Sequence, residues 1–388
     1  MLKLNRLLYS TIDSDLFINR IKPTPEQRKV LVDAKNEIRD YLKPLVRAAT
    51  TKELGMDHPV TPRFRTQGSW AYDTCVQPCS TPPQEMDWDF GMYLPFTVWQ
   101  ENGPPAAMAK AYFDLVERLL TDLCKKRGWR MNGEKNQCIR IHITATAHID
   151  MPLYAVPEKE FESIVERAAL LKAAMESRGG VTFDSIRADS QAKQSWSELT
   201  DISMATRAGE WWKSDPQEVA IWFDERVMEF KDQLLRVCRY LKAWRDFHWK
   251  SGGPTSVLIM IIVARAFERF DGRDDRALEA AAALLVKGFA GDVFESAICE
   301  GKEDFNRMSP EERRFASIKA QHLHDELHRA RMFNVRYSQE AVNVYTAVLG
   351  RRVPNRIELV EVDASPVSVR EVEARRVPPP AVPATQAG

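Results

Sequence analysis

Gln67-Gly68-Ser69-Trp70-Ala71-Tyr72-Asp73-Thr74, followed by Met86-Asp87-Trp88-Asp89-Phe90-Gly91, is the stretch on which the fold of this 388-residue chain turns. A Gly-Ser turn is followed at close range by two acids one residue apart. Met86, Trp88 and Phe90 alternate with Asp87 and Asp89, the pattern of a strand with one apolar face. Period two puts both carboxylates on the other face, a few ångströms apart. Neighbouring like charges are costly unless a cation sits between them. Oxygen ligands at this spacing suit Mg²⁺, which takes one or two carboxylates plus substrate phosphates. Backbone N–H groups and the hydroxyl of the Gly68-Ser69 turn suit a phosphate tail.

A third acid lies downstream. Ile141, Ile143 and Ala145 alternate, and the segment continues Ala147-His148-Ile149-Asp150-Met151-Pro152-Leu153-Tyr154. Asp150 sits between two apolar residues on an expected neighbouring strand. In a two-metal site such an acid holds the ion that activates the attacking hydroxyl and helps take its proton, while Asp87 and Asp89 bridge both ions. An isolated Asp-x-Asp is more readily explained as a solvated strand edge. The turn upstream and Asp150 downstream favour the catalytic reading.

Gly-Ser, Asp-x-Asp and a lone Asp about sixty residues on resemble the polymerase-β-like nucleotidyltransferases. Within them the chain is most similar to the bacterial cGAS/DncV-like nucleotidyltransferases (CD-NTases), in the clade of the Vibrio cyclic GMP-AMP synthase. The matching pieces are QGSWAYDT, EMDWDFGMYLP, HIDMPLYA, GEWWKSDPQEVAIWF, LKAWRD and GGPTS, in order from Gln67 to Ser256. The resemblance implies an α+β fold: a nucleotidyltransferase lobe with a mixed β-sheet, a C-terminal helical lobe, and the active site in the cleft between them. It implies two Mg²⁺ ions, with Mn²⁺ as an alternative, and ATP and GTP joined into a cyclic GMP-AMP signal of anti-phage defence that a downstream effector reads.

Bulk properties agree. Hydrophobic content of 44% and charged content of 28% are ordinary for a globular protein, and the formal charge is zero, which argues against tight nonspecific nucleic-acid binding. The six cysteines show no disulfide rhythm, and Cys75 and Cys79 lack partners at zinc-finger spacing. The start, Met1-Leu2-Lys3-Leu4-Asn5-Arg6, lacks the apolar core of a secretion signal, and the run Val257 to Ala264 is too short to span a bilayer. The expectation is a cytoplasmic protein with no membrane segment.

Thr24-Pro25-Glu26 opens a helix with a Thr cap and Pro at its first position. Val30, Leu31, Ala34, Ile38, Leu42 and Leu45 follow at helical spacing, and in the family this helix is a spine joining two lobes. A second helix is expected over about 105–127 and strands over 129–154. The helical lobe follows: an Asp215-Pro216 helix start, a long helix over 227–249, an apolar helix over 257–270, and helices from Ser309-Pro310 and over 338–349. The boundaries are 1–215 for the first lobe, 216–360 for the helical lobe, and 361–388 for a flexible, proline-containing tail.

Further residues are candidates for nucleotide binding beside Gln67, Gly68 and Ser69. Tyr72 is placed to stack on the donor base, or is a core tyrosine. Arg140, ten residues before Asp150, is placed to point into the cleft. The resemblance gives Lys242 of LKAWRD a triphosphate-binding role, puts the Ser256 hydroxyl near the same phosphates, and brings Ser214 and Asp215 to a nucleotide base; Asp215 also serves as a helix cap. Asp304 is a candidate for the same base contact, or lies in a solvated loop. The stripe Arg236, Arg239, Lys242 and Arg245 is read as a solvated face, and His324 with His328 as surface. The resemblance also suggests a ubiquitin-activating-like enzyme that conjugates Gly388; a frayed end carries such a glycine equally well. The alternatives are a template-free synthase of linear or other cyclic oligonucleotides, oligoadenylate-like, and a non-catalytic nucleotide-binding regulatory protein. The intact acid triad disfavours the second.

Overall fold

Residues 1–22 pack in the helical lobe, not in the first lobe to which their sequence position assigns them. The computed structural model describes residues 1–96, 106–162, 202–213, 216–298 and 301–363. In it, β1 (Leu2–Lys3), α1 (Asn5–Leu8) and α2 (Phe17–Ile21) bury Leu2, Leu4, Leu7, Leu8, Phe17 and Ile21 in one core with Leu241 and Trp244. The Leu4 N–H donates to Asp275 Oδ2 at 2.9 Å, and Asn5 Oδ1 accepts from the Asp274 N–H at 2.6 Å. Elements this short make no core of their own, and order along the chain does not say which lobe receives them. β1 pairs antiparallel with Glu361–Val362, so the segment read as tail begins as a strand.

The first lobe is built around one sheet. α3 (Pro25–Glu53) starts with a complete capping box: Thr24 Oγ1 accepts from the Gln27 N–H, and Gln27 Oε1 accepts from the Thr24 N–H. Its stripe Leu31, Ala34, Ile38, Leu42 and Val46 is buried wholly in the first lobe's core, so the helix braces that lobe; it does not join the two cores. β2 (Arg63–Thr66), α4 (Gly68–Ala71), β3 (Met86–Phe96), α5 (Ala106–Arg127), β4 (Arg130–Asn132), β5 (Ile139–Thr144), β6 (Ala147–Met151), β7 (Leu153–Pro157), β8 (Ser203–Ala205) and β9 (Trp211–Lys213) follow. β3 runs parallel to β6 and then to β7, while β2 pairs with it antiparallel. β6 and β7 keep one register along β3 and form a single path interrupted at Pro152, which has no N–H to donate. β5 and β8 flank that path antiparallel, giving the expected mixed sheet.

The helical lobe comprises α6 (Pro216–Phe230), α7 (Asp232–His248), α8 (Ser256–Arg265), α9 (Asp274–Ala290), α10 (Pro310–Met332) and α11 (Ser338–Leu349), with β10 (Glu361–Val362) returning to β1. The helix expected over 227–249 is broken at Lys231, whose φ of 60° and ψ of −163° lie outside helical space. The apolar helix ends at Arg265, not at 270. α9 is an element the sequence reading passed over. Its Ala277, Leu278, Ala281, Leu285 and Phe289 are fully or nearly fully buried.

The basic stripe on α7 is not solvated. Buried Asp274 accepts from Gln233 Nε2 (2.9 Å), Arg236 Nε (2.6 Å), Arg236 Nη2 (2.9 Å) and Tyr240 OH (2.9 Å). Arg239 Nη2 lies 2.6 Å from Asp73 Oδ1, and Lys242 Nζ donates to the Thr74 carbonyl at 2.7 Å. Arg245 donates to Asp246 Oδ1 (2.5 Å) and to the Pro254 carbonyl (2.9 Å). Thus α7 clamps the turn that follows the Gly-Ser motif and ties the two lobes there. Among the described residues no helix is long and apolar enough to cross a membrane.

Candidate active site

The strand registers decide which side chains meet. Along β3 and β6, Asp87 pairs with His148 and Asp89 with Asp150. Along β5 and β6, Arg140 pairs with Asp150 and His142 with His148. All six residues share the parity that points away from buried Met86, Trp88, Phe90 and Ile149. One face of a three-strand patch therefore carries three carboxylates, one guanidinium and two imidazoles.

The turn sits against that patch. The Gln67 N–H donates to the Asp89 carbonyl at 2.9 Å, and Gly68 takes φ +58°. A Cβ on Gly68 would stand 2.0 Å from Asp89 Oδ2, so only glycine lets the turn lie on the carboxylate. Gln67 itself is buried. Its Nε2 donates to Tyr93 OH at 2.5 Å and its Oε1 accepts from Tyr154 OH at 3.3 Å. Its side chain therefore fixes the turn from beneath and does not face the cavity as a nucleotide contact.

Gly68, Ser69, Tyr72, Asp87, Asp89, Lys242 and Ser256 line one cavity of about 190 Å³, together with Glu85 and Arg245. A neighbouring cavity of about 260 Å³ shares Glu85, Arg245 and Asp246 and adds Trp249 and Lys250. Tyr72 lines the cavity and packs on Phe223 with ring centroids 6.0 Å apart. Lys242 is buried, and burial lowers its pKa to about 8. Ser256 Oγ accepts from Arg245 Nη2 at 3.3 Å.

Arg140 does not project free into the cleft. Its Nε and Nη2 donate to Asp150 Oδ1 and Oδ2 at 2.7 and 2.6 Å, a two-pronged pair between directly opposed residues. Burial alone would raise the Asp150 pKa, but Arg140 outweighs it and holds the acid below its usual range. Asp304 serves elsewhere. It accepts from the Val293 and Asn306 N–H groups, both at 2.9 Å, and pairs with Arg313, bracing a loop of the helical lobe. His324 and His328 pair with Asp325 and Glu279 on an exposed helix face. Ser214, Asp215 and Gly388 lie outside the described residues.

Three residues of the patch escaped the sequence reading. Glu85 Oε2 lies 2.9 Å from His142 Nδ1 and 2.8 Å from His148 Nδ1. The available signal was parity: Glu85 is two before Asp87, and His148 is two before Asp150.

The donor set fits divalent metal ions. Burial first, then the Asp87 and Asp150 carboxylates, push the Asp89 pKa up to about 8. Such a cluster carries an excess of negative charge even with Arg140 beside it. Asp87 Oδ1 and His148 Nε2 stand 3.1 Å apart but out of line for a hydrogen bond, and both buried atoms are without such a partner. Burial favours the neutral His148 ring, yet Asp87 outweighs that and raises its pKa.

Residues 62–154 match the family described as the cyclic GMP-AMP synthase DncV-like nucleotidyltransferase domain, and residues 231–362 match the cyclic GMP-AMP synthase C-terminal domain. The chain belongs to the DncV-like nucleotidyltransferases. The first match spans the turn and all three acids of this DncV-like chain; the second begins at the Lys231 break. The cyclic GMP-AMP synthase of Vibrio cholerae is 38% identical over 208 residues, 52% of this chain and 46% of that protein. One from Escherichia coli is 35% identical over 221 residues, 55% and 49% of the two chains. These matches thus span about half the length of the curated relatives. A crystal structure of Vibrio cholerae DncV superposes with a TM-score of 0.69 at 23% identity, over 94% of this chain and 100% of that one. A second, holding the linear intermediate 5′ pppA(3′,5′)pG, gives 0.70 at 24%, over 94% and 99%. The fold is therefore the two-lobed DncV fold.

Proposed function

We propose that the chain is a cyclic dinucleotide synthase that joins ATP and GTP into a cyclic GMP-AMP. The observation that carries this is the β3–β6 register, which gathers Asp87, Asp89 and Asp150 beside the Gly68-Ser69 turn. Two Mg²⁺ ions held by these carboxylates would supply charge neutralisation and hydroxyl activation. The Gly68-Ser69 turn, Lys242 and Ser256 hold the donor triphosphate, and Tyr72 faces the donor base. Asp150 takes up the proton of the acceptor ribose hydroxyl. That hydroxyl attacks the donor α-phosphorus, one P–O bond forms, another breaks, and pyrophosphate leaves. The linear product then turns over and its remaining triphosphate becomes the donor for ring closure. Catalysis is positioning plus charge neutralisation. The DncV structure with a linear intermediate supports such a two-step course for that relative.

The test is incubation with Mg²⁺ and radiolabelled ATP, GTP, CTP and UTP, singly and in pairs, beside an Asp87→Ala/Asp89→Ala control. Phosphatase-resistant product that requires ATP and GTP together, absent in the control, is the expected result. A phosphatase-sensitive ladder from ATP alone would replace this reading with a linear synthase.

A further inference from the structure

The imidazole between Glu85 and the catalytic acids has no place in a site of three carboxylates, yet the strand register delivers it there. His148 lies two residues before Asp150 on β6 and directly opposite Asp87 on β3. Its side chain is only 6% exposed. Nδ1 is committed to Glu85 Oε2 at 2.8 Å. Nε2 faces Asp87 Oδ1 at 3.1 Å and Asp150 Oδ1 at 3.9 Å. With Nδ1–H donated to Glu85, Nε2 presents a lone pair to two carboxylates.

We infer that His148 Nε2 is a ligand to one of the active-site metal ions, held in place by Glu85, and that it makes this site favour Mn²⁺ over Mg²⁺. This rests on the reading of the cleft as a divalent-metal site. Octahedral ligands at about 2.1 Å from an ion stand about 3 Å apart when adjacent and about 4.2 Å when opposite. The separations of 3.1 and 3.9 Å fall within that range. All three donor groups fit within 4.8 Å of one another. Asp150 Oδ1 accepts a hydrogen bond from Arg140 Nε but keeps a second lone pair for an ion. A carboxylate on the far nitrogen is the usual device that sets the tautomer and raises the basicity of a metal-bound histidine. Glu85 is therefore a positioning residue. His142 shares the same Glu85 oxygen at 2.9 Å and holds that carboxylate in place. Mg²⁺ is a hard ion that prefers oxygen, whereas imidazole suits transition-metal ions better.

The experiment is electron spin-echo spectroscopy of Mn²⁺ bound to the purified full chain, alone and with a nonhydrolysable GTP analogue, combined with Mn²⁺ and Mg²⁺ titrations. The expected result is a directly coordinated imidazole ¹⁴N signal in the wild type. It persists in His142→Gln and disappears in His148→Gln. Mn²⁺ affinity falls by roughly 10–100-fold in His148→Gln and in Glu85→Gln, while Mg²⁺ affinity changes much less. Bound Mn²⁺ without ¹⁴N coupling in the wild type overturns the inference, because it makes His148 an imidazolium paired with Asp87. So does coupling that survives His148→Gln. Neither result depends on turnover, so absence of nucleotidyl transfer with the nitrogen signal intact counts against the proposed activity alone.

Discussion

Asp89 shows how much of this site is decided by single atoms. Without metal its pKa is pushed up to about 8, by burial first and then by Asp87 and Asp150. A raised acid pKa means the folded state binds more protons than the unfolded chain between its ordinary value of 3.8 and about 8. Its contribution is present below 3.8 and is lost as pH rises through about 8. Asp89→Asn should therefore raise the melting temperature of the metal-free protein by a few degrees near pH 9 and by little at pH 4, while removing activity. Equal stability of the two proteins at both pH values in chelator would contradict this. The acids were legible because a period of two is printed in the sequence. The imidazoles were not, because their place depends on which residue of β5 faces which residue of β6. Gln67 misled for a related reason: the motif places it at the turn, but only Tyr93 and Tyr154 reveal that its side chain turns inward.

Helix starts were legible where a cap and a proline coincide. Thr24-Pro25 and Ser309-Pro310 both open helices with complete capping boxes. Helix breaks were less so. Nothing in the composition around Lys231 marks a stop, and the break is imposed by packing of α6 and α7. Lys231 occupies a region of backbone space that glycine alone enters readily. Lys231→Gly should stabilise the protein by about 1 kcal/mol, measured by denaturant unfolding; a loss of stability would mean that the lysine side chain supports the break. α9 escaped notice because its alanines give little contrast between faces. Its anchor is Asp274, whose four acceptor contacts come from three residues of α7 far away in sequence.

At the scale of the molecule, the two cores were expected from the motif order, but the crossing of residues 1–22 into the second was not, since only tertiary contact assigns so short a segment. The lobes are tied where α7 grips the 73–74 turn, and Lys242 is the group through which that contact meets the cavity. Its pKa of about 8 makes it a cation below that pH and an amine above it. Triphosphate affinity should hold below pH 8 and fall as pH rises through 8, and Lys242→Met should flatten the profile at a lower affinity. A wild-type affinity constant from pH 7 to 9 would remove Lys242 from phosphate binding. For the unliganded fold the sign is opposite. The unfolded lysine, at its ordinary 10.5, holds a proton that the buried one has lost, so stability rises between about 8 and 10.5. The central claim, that one cleft makes two phosphodiester bonds in succession, is tested most directly by the ratio of pyrophosphate released to dinucleotide formed with ATP, GTP and Mg²⁺. A ratio of two is predicted, since ring closure releases a second pyrophosphate. A ratio of one, with a terminal triphosphate left on the product, would contradict it.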